Sequence, residues 1–144
     1  MNSQTEHERR REIVRAFSDP EVADRWEHFA PDFKWRIIGT TPISGVLIGR
    51  AGIAHTIGPF GARMAKLRVY VDDVIGEGDR FVKIAHSEGE MADGRPYRND
   101  YATVFIFDGD KVVEGIEYLD TELVNTVFEI PDSALKPAEA NAPD

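Results

Sequence analysis

The first candidate for chemistry in the sequence is an acid at the end of an apolar run. Asp120 follows Ile116 and Tyr118 in the stretch GIEYLDTELV, residues 115–124. A carboxylate on an apolar strand is costly unless it caps a helix, pairs with another group or does chemistry. In an apolar cavity a carboxylate acquires a raised pKa and can take a proton from carbon or from water. The alternative is that Asp120 or Thr121 is the N-cap of a short helix, TELVNTVF.

A histidine on an earlier strand is the second candidate. His86 shares a strand face with Ile84 and Glu88 if side chains alternate along RFVKIAHSEGEM. Its imidazole could act as a general acid, and with Asp120 it would form an acid–base pair. A single histidine on a strand is more often a satisfied core or rim residue, so a structural role for His86 stays open.

Polar and aromatic side chains on the following strand are candidates for ligand binding. Asn99 and Tyr101 share a face there and could hydrogen-bond a carbonyl group or hold a water molecule. Phe105 lies on the same face as an apolar wall, and Trp35 could form the floor of a pocket. The predicted ligand-binding residues are Tyr101, Asn99, Trp35, Tyr118, Phe105 and Phe17.

The last strand, KVVEGIEYLD, is expected to turn one face towards that pocket. Because side chains alternate along a strand, Val112, Ile116, Tyr118 and Asp120 share one face. We assign this face to the cavity, which would bring the Asp120 carboxylate to a bound ligand.

The pattern of apolar residues predicts the helices and strands that position these side chains. Periodicity indicates a first helix from about residue 3 to 17, a second over 19–29 and a third over 50–67, kinked or broken at Gly58–Pro59. A strand is predicted at 33–38, and a period of two then indicates four long antiparallel strands joined by short Gly/Asp turns. The expected fold is α+β: three N-terminal helices packed on a strongly curved, mainly antiparallel sheet, forming a cone that encloses a pocket.

Composition narrows the class of protein. The chain has 144 residues, no cysteine and a formal net charge of −9 at pH 7. This charge disfavours nucleic acid as a partner, and no apolar run is long enough to cross a membrane. We expect one domain over 1–130, a disordered acidic and Pro-rich tail over 131–144, and a cytoplasmic location. No residues have metal-ligand spacing, and we expect neither a metal nor a cofactor.

The order of motifs resembles the SnoaL-like branch of the nuclear-transport-factor-2-like fold. The matching stretches are WRIIGTTPISGVLIG at 35–49 and GRPYRNDYATVFIFDGDKVVEGIEYLDT at 94–121, and the resemblance covers roughly residues 5–128. It implies three helices and a bent sheet around a mostly apolar pocket, and commonly a homodimer formed through the sheet. It also implies that Asp120, in the last strand, is the catalytic base.

Patterns of other enzymes with this fold are incomplete in the chain. Ketosteroid isomerases use a tyrosine of the first helix in the oxyanion hole, whereas the first helix here has Phe17 and no tyrosine. The epoxide hydrolase pattern has Arg-x-Asp on a middle strand, and the aligned AHSEGE lacks the arginine. Scytalone dehydratase relies on paired histidines and tyrosines, to which only His86 and Tyr101 could correspond.

Three alternatives for function follow. The first is a cofactor-independent, SnoaL-like enzyme of isomerase, cyclase or hydratase type that acts on an apolar, cyclic carbonyl compound. In this hypothesis Asp120 is the base, His86 or Tyr101 donates or orients a proton, and Asn99 fixes the substrate. The second is a non-catalytic small-molecule-binding module, and the third is a dimerisation domain of the same fold.

Overall fold

Our computed structural model describes residues 3–135, in which three helices pack on one curved sheet of seven strands. The helices are α1 (Ser3–Ala16), α2 (Gly49–Ala62) and α3 (Thr121–Val127), and a 3₁₀ helix covers Asp132–Ala134. The strands are β1 (Phe29–Ile37), β2 (Gly45–Ile48), β3 (Met64–Glu77), β4 (Arg80–Met91), β5 (Pro96–Tyr97), β6 (Asp100–Asp108) and β7 (Lys111–Leu119). The predicted α+β class is confirmed.

The order of strands in the sheet brings the last strand to its centre. The order is β2-β1-β7-β6-β4-β3, with β5 beside β4. Strands β3, β4, β6 and β7 form the predicted antiparallel run, whereas β1 and β7 pair in parallel. Tight turns join β3 to β4 and β6 to β7, and each contains a glycine with positive φ, Gly78 at 61° and Gly109 at 60°.

The hydrophobic core lies between the helices and the inner face of this sheet. Helix α1 contributes Ile13 and Val14, and α3 contributes Val124 and Val127, all of them buried. The apolar side chains of α1 therefore pack on the sheet, and this burial stabilises a helix that is otherwise strongly charged.

The segment between α1 and β1 is not the helix predicted over 19–29. It forms turns, in which the Asp19 and Asp24 carboxylates accept hydrogen bonds from the backbone N–H groups of Glu21 and Trp26 at 2.9 and 3.0 Å. These local bonds satisfy donors that a helix would otherwise use, and so they compete with helix formation. The third helix of the fold is instead α3, which follows β7.

Helix α2 continues through Pro59 without the predicted break and ends at Ala62 rather than at 67. The Arg63 side chain follows it and donates hydrogen bonds to the carbonyl oxygens of Pro59 at 2.8 Å and Ile130 at 2.9 Å. Arg63 also forms an ion pair with Asp132. These contacts fasten the chain after α3 to the end of α2; the rest of the predicted tail, 136–144, lies outside the described residues.

Candidate active site

A cavity of about 470 Å³ opens between the inner face of the sheet, α2 and the segment that joins α1 to β1. Aromatic rings form much of its wall: the Phe17 ring centroid lies 5.2 Å from that of Trp26 and 5.6 Å from that of Trp35. Ile53 and Ile57 of α2 complete the apolar side. A cavity of this size and lining fits a small organic ligand.

Three polar side chains form a row across the inner face of the sheet. Lys83 on β4 is directly opposite Thr103 on β6, and Thr103 is opposite Glu117 on β7. All three line the cavity. Because neighbouring strands lie about 4.8 Å apart, the row holds a cation and a carboxylate on either side of Thr103. Lys83 and Glu117, both within the described part of the chain, make no direct ion pair.

The Glu117 carboxyl group is held by an indole ring. Trp35 Nε1 donates a hydrogen bond to Glu117 Oε1 at 3.3 Å. The Trp35 ring can lie this close to β7 because residue 115 is glycine, where a Cβ would stand 2.3 Å from the ring. Burial raises the pKa of Glu117, while the positive charge of Lys83, the Trp35 hydrogen bond and the charge of Arg25 act in the opposite direction. Glu117 therefore combines a fixed position with a proton affinity suited to acid–base chemistry.

The Lys83 ammonium group is buried in a mainly apolar environment. Lys83 is only 5% exposed, and its Nζ donates a hydrogen bond to Ser18 Oγ at 2.7 Å. The same Nζ lies 5.2 Å from the ring centroid of Phe17 and 5.5 Å from that of Phe105. Burial lowers the pKa of Lys83 to about 8, the charge of Glu117 opposes this shift, and the charge of Arg25 adds to it. Near pH 7 most of the side chain is charged, and a usable fraction is free amine.

An arginine adds a second cation at the edge of the cavity. The Arg25 guanidinium carbon lies 4.4 Å from the ring centroid of Phe17 and 4.9 Å from that of Trp26. The residue is exposed and lines the cavity. The charged residues of the cavity lining are Lys83, Arg25, Arg68, Glu117 and Asp19, so cations outnumber acids by three to two, which favours a ligand with partial or full negative charge.

A tyrosine supplies a further hydroxyl group to the lining. The hydroxyl groups of Tyr101 and Ser87 are 2.8 Å apart and share a hydrogen bond. Burial raises the pKa of Tyr101, so its phenol stays protonated at neutral pH and can act as a hydrogen-bond donor.

The structure places the Asp120 side chain at the N-terminus of α3. Its Oδ1 accepts hydrogen bonds from the backbone N–H groups of Glu122 at 3.0 Å and Leu123 at 3.3 Å, as an N-cap does. Asp120 is exposed, and Glu117 and Leu119 line the cavity instead. The face assigned to the cavity at the end of the last strand was therefore wrong.

A bulge in β7 explains the change of face. Val112 is opposite Phe107 and Glu114 is opposite Ile106, so one residue of β7, Val113, has no partner between them. An extra residue in one strand shifts the alternation of every side chain that follows it. Val112, before the bulge, is buried in the hydrophobic core and does not line the cavity. After the bulge, the side chains of β7 that line the cavity are those of Glu117 and Leu119.

Asn99 connects β6 to α3 instead of facing the cavity. Its Nδ2 donates to Tyr97 Oη at 2.8 Å and to the carbonyl oxygen of Asp120 at 3.1 Å. Its Oδ1 accepts from the backbone N–H groups of Asp100 at 2.8 Å and Asp120 at 3.0 Å. The side chain is fully buried, and these bonds employ both of its polar atoms.

His86 also lies away from the cavity lining. Its Nδ1 is 2.8 Å from Asp72 Oδ2, and its ring stacks on Tyr70 with a centroid distance of 5.3 Å. The structure thus pairs His86 with Asp72 and not with Asp120.

The aromatic ligand-binding predictions divide between the two faces of the sheet. Phe17, Trp35 and Tyr101 line the cavity. Phe105 is fully buried and packs against the Trp35 ring at a centroid distance of 5.6 Å. Tyr118 is 43% exposed and does not line the cavity.

Sequence reasoning identified none of the charged residues that line the cavity, among them Lys83, Arg25 and Glu117. Lys83 alternates with the buried residues Phe81 and Ala85, so a lysine on an otherwise apolar strand face was the available signal.

No group of three or more metal-ligating side chains occurs among residues 3–135, and no helix there is long and apolar enough to cross a membrane.

Comparison with known proteins identifies the family that this fold and cavity represent. The chain belongs to the SnoaL-like domain family, whose model matches residues 11–115. A search of curated proteins by sequence found no significant match.

Solved structures show the same fold at low sequence identity. An NTF2-like protein of unknown function from Burkholderia pseudomallei K96243 has a TM-score of 0.72 and 18% identity, over 83% of this chain and 98% of that one. TerC, co-crystallised with polyporic acid, has a TM-score of 0.71 and 19% identity, over 84% and 98%. A candidate SnoaL-like polyketide cyclase from Jannaschia sp. CCS1 has a TM-score of 0.70 and 20% identity, over 91% and 98%.

Proposed function

We propose that the protein is a small-molecule enzyme that uses acid–base chemistry on an apolar, cyclic carbonyl compound, with Glu117 as its base. The supporting observation is that Glu117 and Lys83 line one largely apolar cavity without a direct ion pair between them. A ligand carbonyl group can therefore lie between a carboxylate and an ammonium group. A base on one side of the carbonyl group and a cation on the other can serve reactions of isomerase, cyclase or hydratase type.

The proposed reaction begins with proton removal next to the carbonyl group. The Glu117 carboxylate takes the proton, the C–H electron pair becomes the C=C bond of an enolate, and the carbonyl oxygen takes the negative charge. The Lys83 ammonium group, itself buried, stabilises that oxygen in a largely apolar cavity. If the enolate is conjugated with a second C=C bond, return of the proton to the far end of that bond shifts the double bond and completes an isomerisation. Attack of the enolate carbon on a second carbonyl group of the same molecule completes a cyclisation.

The environment of Glu117 supports its role as base. A general base works best when its pKa is near the operating pH, and burial moves the pKa of Glu117 in that direction. Trp35 fixes one carboxyl oxygen and leaves the other available to the ligand. In this proposal Glu117 takes the part that the family resemblance assigns to Asp120, an acid three positions further along the chain.

The structural neighbours support a small organic ligand. TerC was co-crystallised with polyporic acid, and the Jannaschia protein is described as a candidate polyketide cyclase. An acidic, ring-containing carbonyl compound also agrees with the excess of cations in the cavity lining, where Lys83, Arg25 and Arg68 outnumber the acids Asp19 and Glu117.

Hydrogen exchange on a test ketone examines the proposal directly. The protein is incubated in D₂O with 2-tetralone or cyclohex-2-enone, and loss of the proton signal next to the carbonyl group is followed by NMR. We expect wild-type protein to accelerate exchange and Glu117→Gln to lower the enzymatic rate by about 100-fold or more. The matched control is Glu114→Gln on the same strand, which does not line the cavity and should keep the wild-type rate.

Two results would oppose the proposal. Equal exchange by wild type and Glu117→Gln would remove Glu117 from the reaction. Saturable binding of the ketones with no acceleration of exchange by wild type would favour the non-catalytic binding module.

A further inference from the structure

We infer that Lys83 is a nucleophile that condenses with the carbonyl group of the ligand and holds it as an imine in the cavity. The inference deepens the proposed function and rests on it for the class of ligand, an aldehyde or ketone. It assigns to the Lys83 amine a covalent step beyond electrostatic stabilisation of an enolate.

The position of Lys83 Nζ meets the steric requirements of such a step. The residue lines the cavity although it is only 5% exposed. Its Nζ lies over the Phe17 and Phe105 rings at 5.2 and 5.5 Å, and its hydrogen bond to Ser18 Oγ is 2.7 Å long. Ser18 is a neutral partner, and no carboxylate of the described residues forms an ion pair with Lys83. The amine is therefore not fixed as a cation by a close counter-charge.

The electrostatic environment keeps part of the amine neutral. Two conditions activate a lysine for imine formation: desolvation in an apolar pocket and a second cation nearby. Both are present, because burial lowers the pKa of Lys83 to about 8 and the charge of Arg25 acts in the same direction. The opposing charge is Glu117, which shares the cavity but makes no direct contact with Nζ.

Glu117 is placed to move the protons that condensation requires. The neutral Lys83 amine attacks the carbonyl carbon, a C–N bond forms, and the π electrons of the C=O bond move to oxygen. Protonated Glu117 gives a proton to that oxygen, and the carboxylate then receives a proton from the attached nitrogen. A second proton transfer lets the oxygen leave as water, and the nitrogen lone pair forms the C=N bond of a protonated imine. In sum, amine, carbonyl compound and one proton give an iminium ion and water.

An iminium ion would also help the proposed reaction. Its positive charge makes the neighbouring C–H bond more acidic than that of the parent ketone, so the Glu117 carboxylate needs less driving force to remove the proton. Hydrolysis by the reverse path returns free Lys83 and the product.

Reductive trapping with an aldehyde tests the covalent step separately from proton removal at carbon. The full chain is incubated at pH 7.5 with benzaldehyde and sodium cyanoborohydride, and benzylated lysines are located by peptide mass spectrometry. Benzaldehyde has no hydrogen on the carbon next to its carbonyl group, so trapping cannot depend on the proposed enolate chemistry. At this pH a lysine of pKa about 8 has far more free amine than an ordinary lysine, and we expect at least about tenfold faster labelling of Lys83.

Matched variants assign the signal. Lys83→Arg keeps the charge but cannot form an imine, and it should abolish labelling at this position. Lys66→Met removes a lysine whose side chain is 76% exposed, and it should leave labelling of Lys83 unchanged. Preferential labelling of Lys83 supports the inference, and the peptide map of the wild type alone gives this result if a variant fails to fold.

Labelling spread evenly over the lysines, or absent from Lys83, would overturn the inference. The two proposals can fail separately. If exchange of 2-tetralone depends on Glu117 but Lys83 is not labelled, the proposed function stands and the imine is excluded. If Lys83 is labelled but no exchange occurs, the imine stands and the proposed proton removal is excluded.

Discussion

Two carboxylates at the end of β7, Glu117 and Asp120, differ in almost every physical respect. Glu117 faces a largely apolar cavity, accepts one hydrogen bond from Trp35, and has its pKa raised by burial. Asp120 is exposed and accepts two backbone hydrogen bonds at the start of α3. The Glu117 carboxylate can still accept further hydrogen bonds, whereas the Asp120 carboxylate stabilises the start of α3.

Within residues 117–120, one carboxylate therefore stabilises the fold, and the other faces the cavity, where it is available for the proposed chemistry. The polar groups around Asp120 have hydrogen-bond partners. The Asn99 side chain alone accepts a hydrogen bond from the Asp120 N–H group and donates one to the Asp120 carbonyl oxygen. The Lys83–Thr103–Glu117 row keeps two opposite charges in one cavity without direct contact. Functional groups of this kind are usually maintained at a cost in stability. The following predictions separate the two regions, and we take them from the largest expected effect to the smallest.

Loss of Asn99 should give the largest change in stability. Asn99→Ala removes four hydrogen bonds, two of them from the partly buried backbone N–H groups of Asp100 and Asp120, so we expect a loss of about 3 kcal/mol or more in the free energy of unfolding. Urea denaturation measures this, and Asn125→Ala on the exposed side of α3 is the matched control, expected within about 0.5 kcal/mol of wild type. Equal stability of the two variants would show that the Asn99 hydrogen bonds do not stabilise the fold.

Stability should depend on pH through Lys83. Because burial lowers the pKa of Lys83 from 10.5 to about 8, the unfolded chain binds more protons than the folded one between these values, and stability rises with pH there. Compared with Lys83→Met, the wild type should gain about 2 kcal/mol between pH 7 and 10, as measured by urea denaturation. Parallel curves for the two proteins would mean that the Lys83 ammonium group is not desolvated.

Neutralising the two acids should change stability in opposite directions. Asp120→Ala loses a helix cap and should cost about 1 kcal/mol, or roughly 3–4 °C in the melting temperature. The pKa of Glu117 is raised in the folded state by burial, so the free energy of unfolding falls as the pH rises from the unfolded-state pKa to the folded-state pKa. Glu117→Gln should therefore be as stable as wild type at pH 7, or more stable. Thermal melts of both variants decide this, and a stability loss for Glu117→Gln larger than for Asp120→Ala would reverse the assignment.

Substitutions on the outer face of the sheet should change dimerisation and leave the cavity unaffected. Tyr118, between the two acids, is 43% exposed, and Tyr70 is 37% exposed. We propose that this face forms the homodimer that the family resemblance implies. Tyr118→Lys should then weaken dimerisation by about tenfold in light scattering at a series of concentrations. A wild-type chain that is monomeric at every concentration would contradict the proposal.

The sequence predicted most of the helices and strands, but it did not predict the turns over 19–28 or which side chains of β7 face the cavity. Helix α1 and the long strands follow from periodicity because their apolar faces pack on the core. The helix predicted over 19–29 fails because the Asp19 and Asp24 side chains bond the backbone locally. Asp120 was assigned to the cavity because nothing in the residues KVVEG reveals the bulge at Val113, which moves Glu117 to the inner face.

The sequence could also not predict that Lys83 and Glu117 share a cavity. Lys83 and Glu117 are 34 positions apart in the printed sequence. They share a cavity only because their strands, β4 and β7, lie on either side of β6 in the sheet. Pairing order of this kind depends on tertiary packing, and local pattern does not contain it.

The most direct test of the central claim is a comparison of Glu117→Gln with Asp120→Asn in the exchange of 2-tetralone in D₂O. Both changes neutralise a carboxylate while keeping its shape, and asparagine preserves the helix cap. The account predicts that Glu117→Gln lowers the enzymatic exchange rate by about 100-fold or more while Asp120→Asn stays within about twofold of wild type. A large loss in Asp120→Asn with an unchanged rate in Glu117→Gln would contradict it and return the base to Asp120.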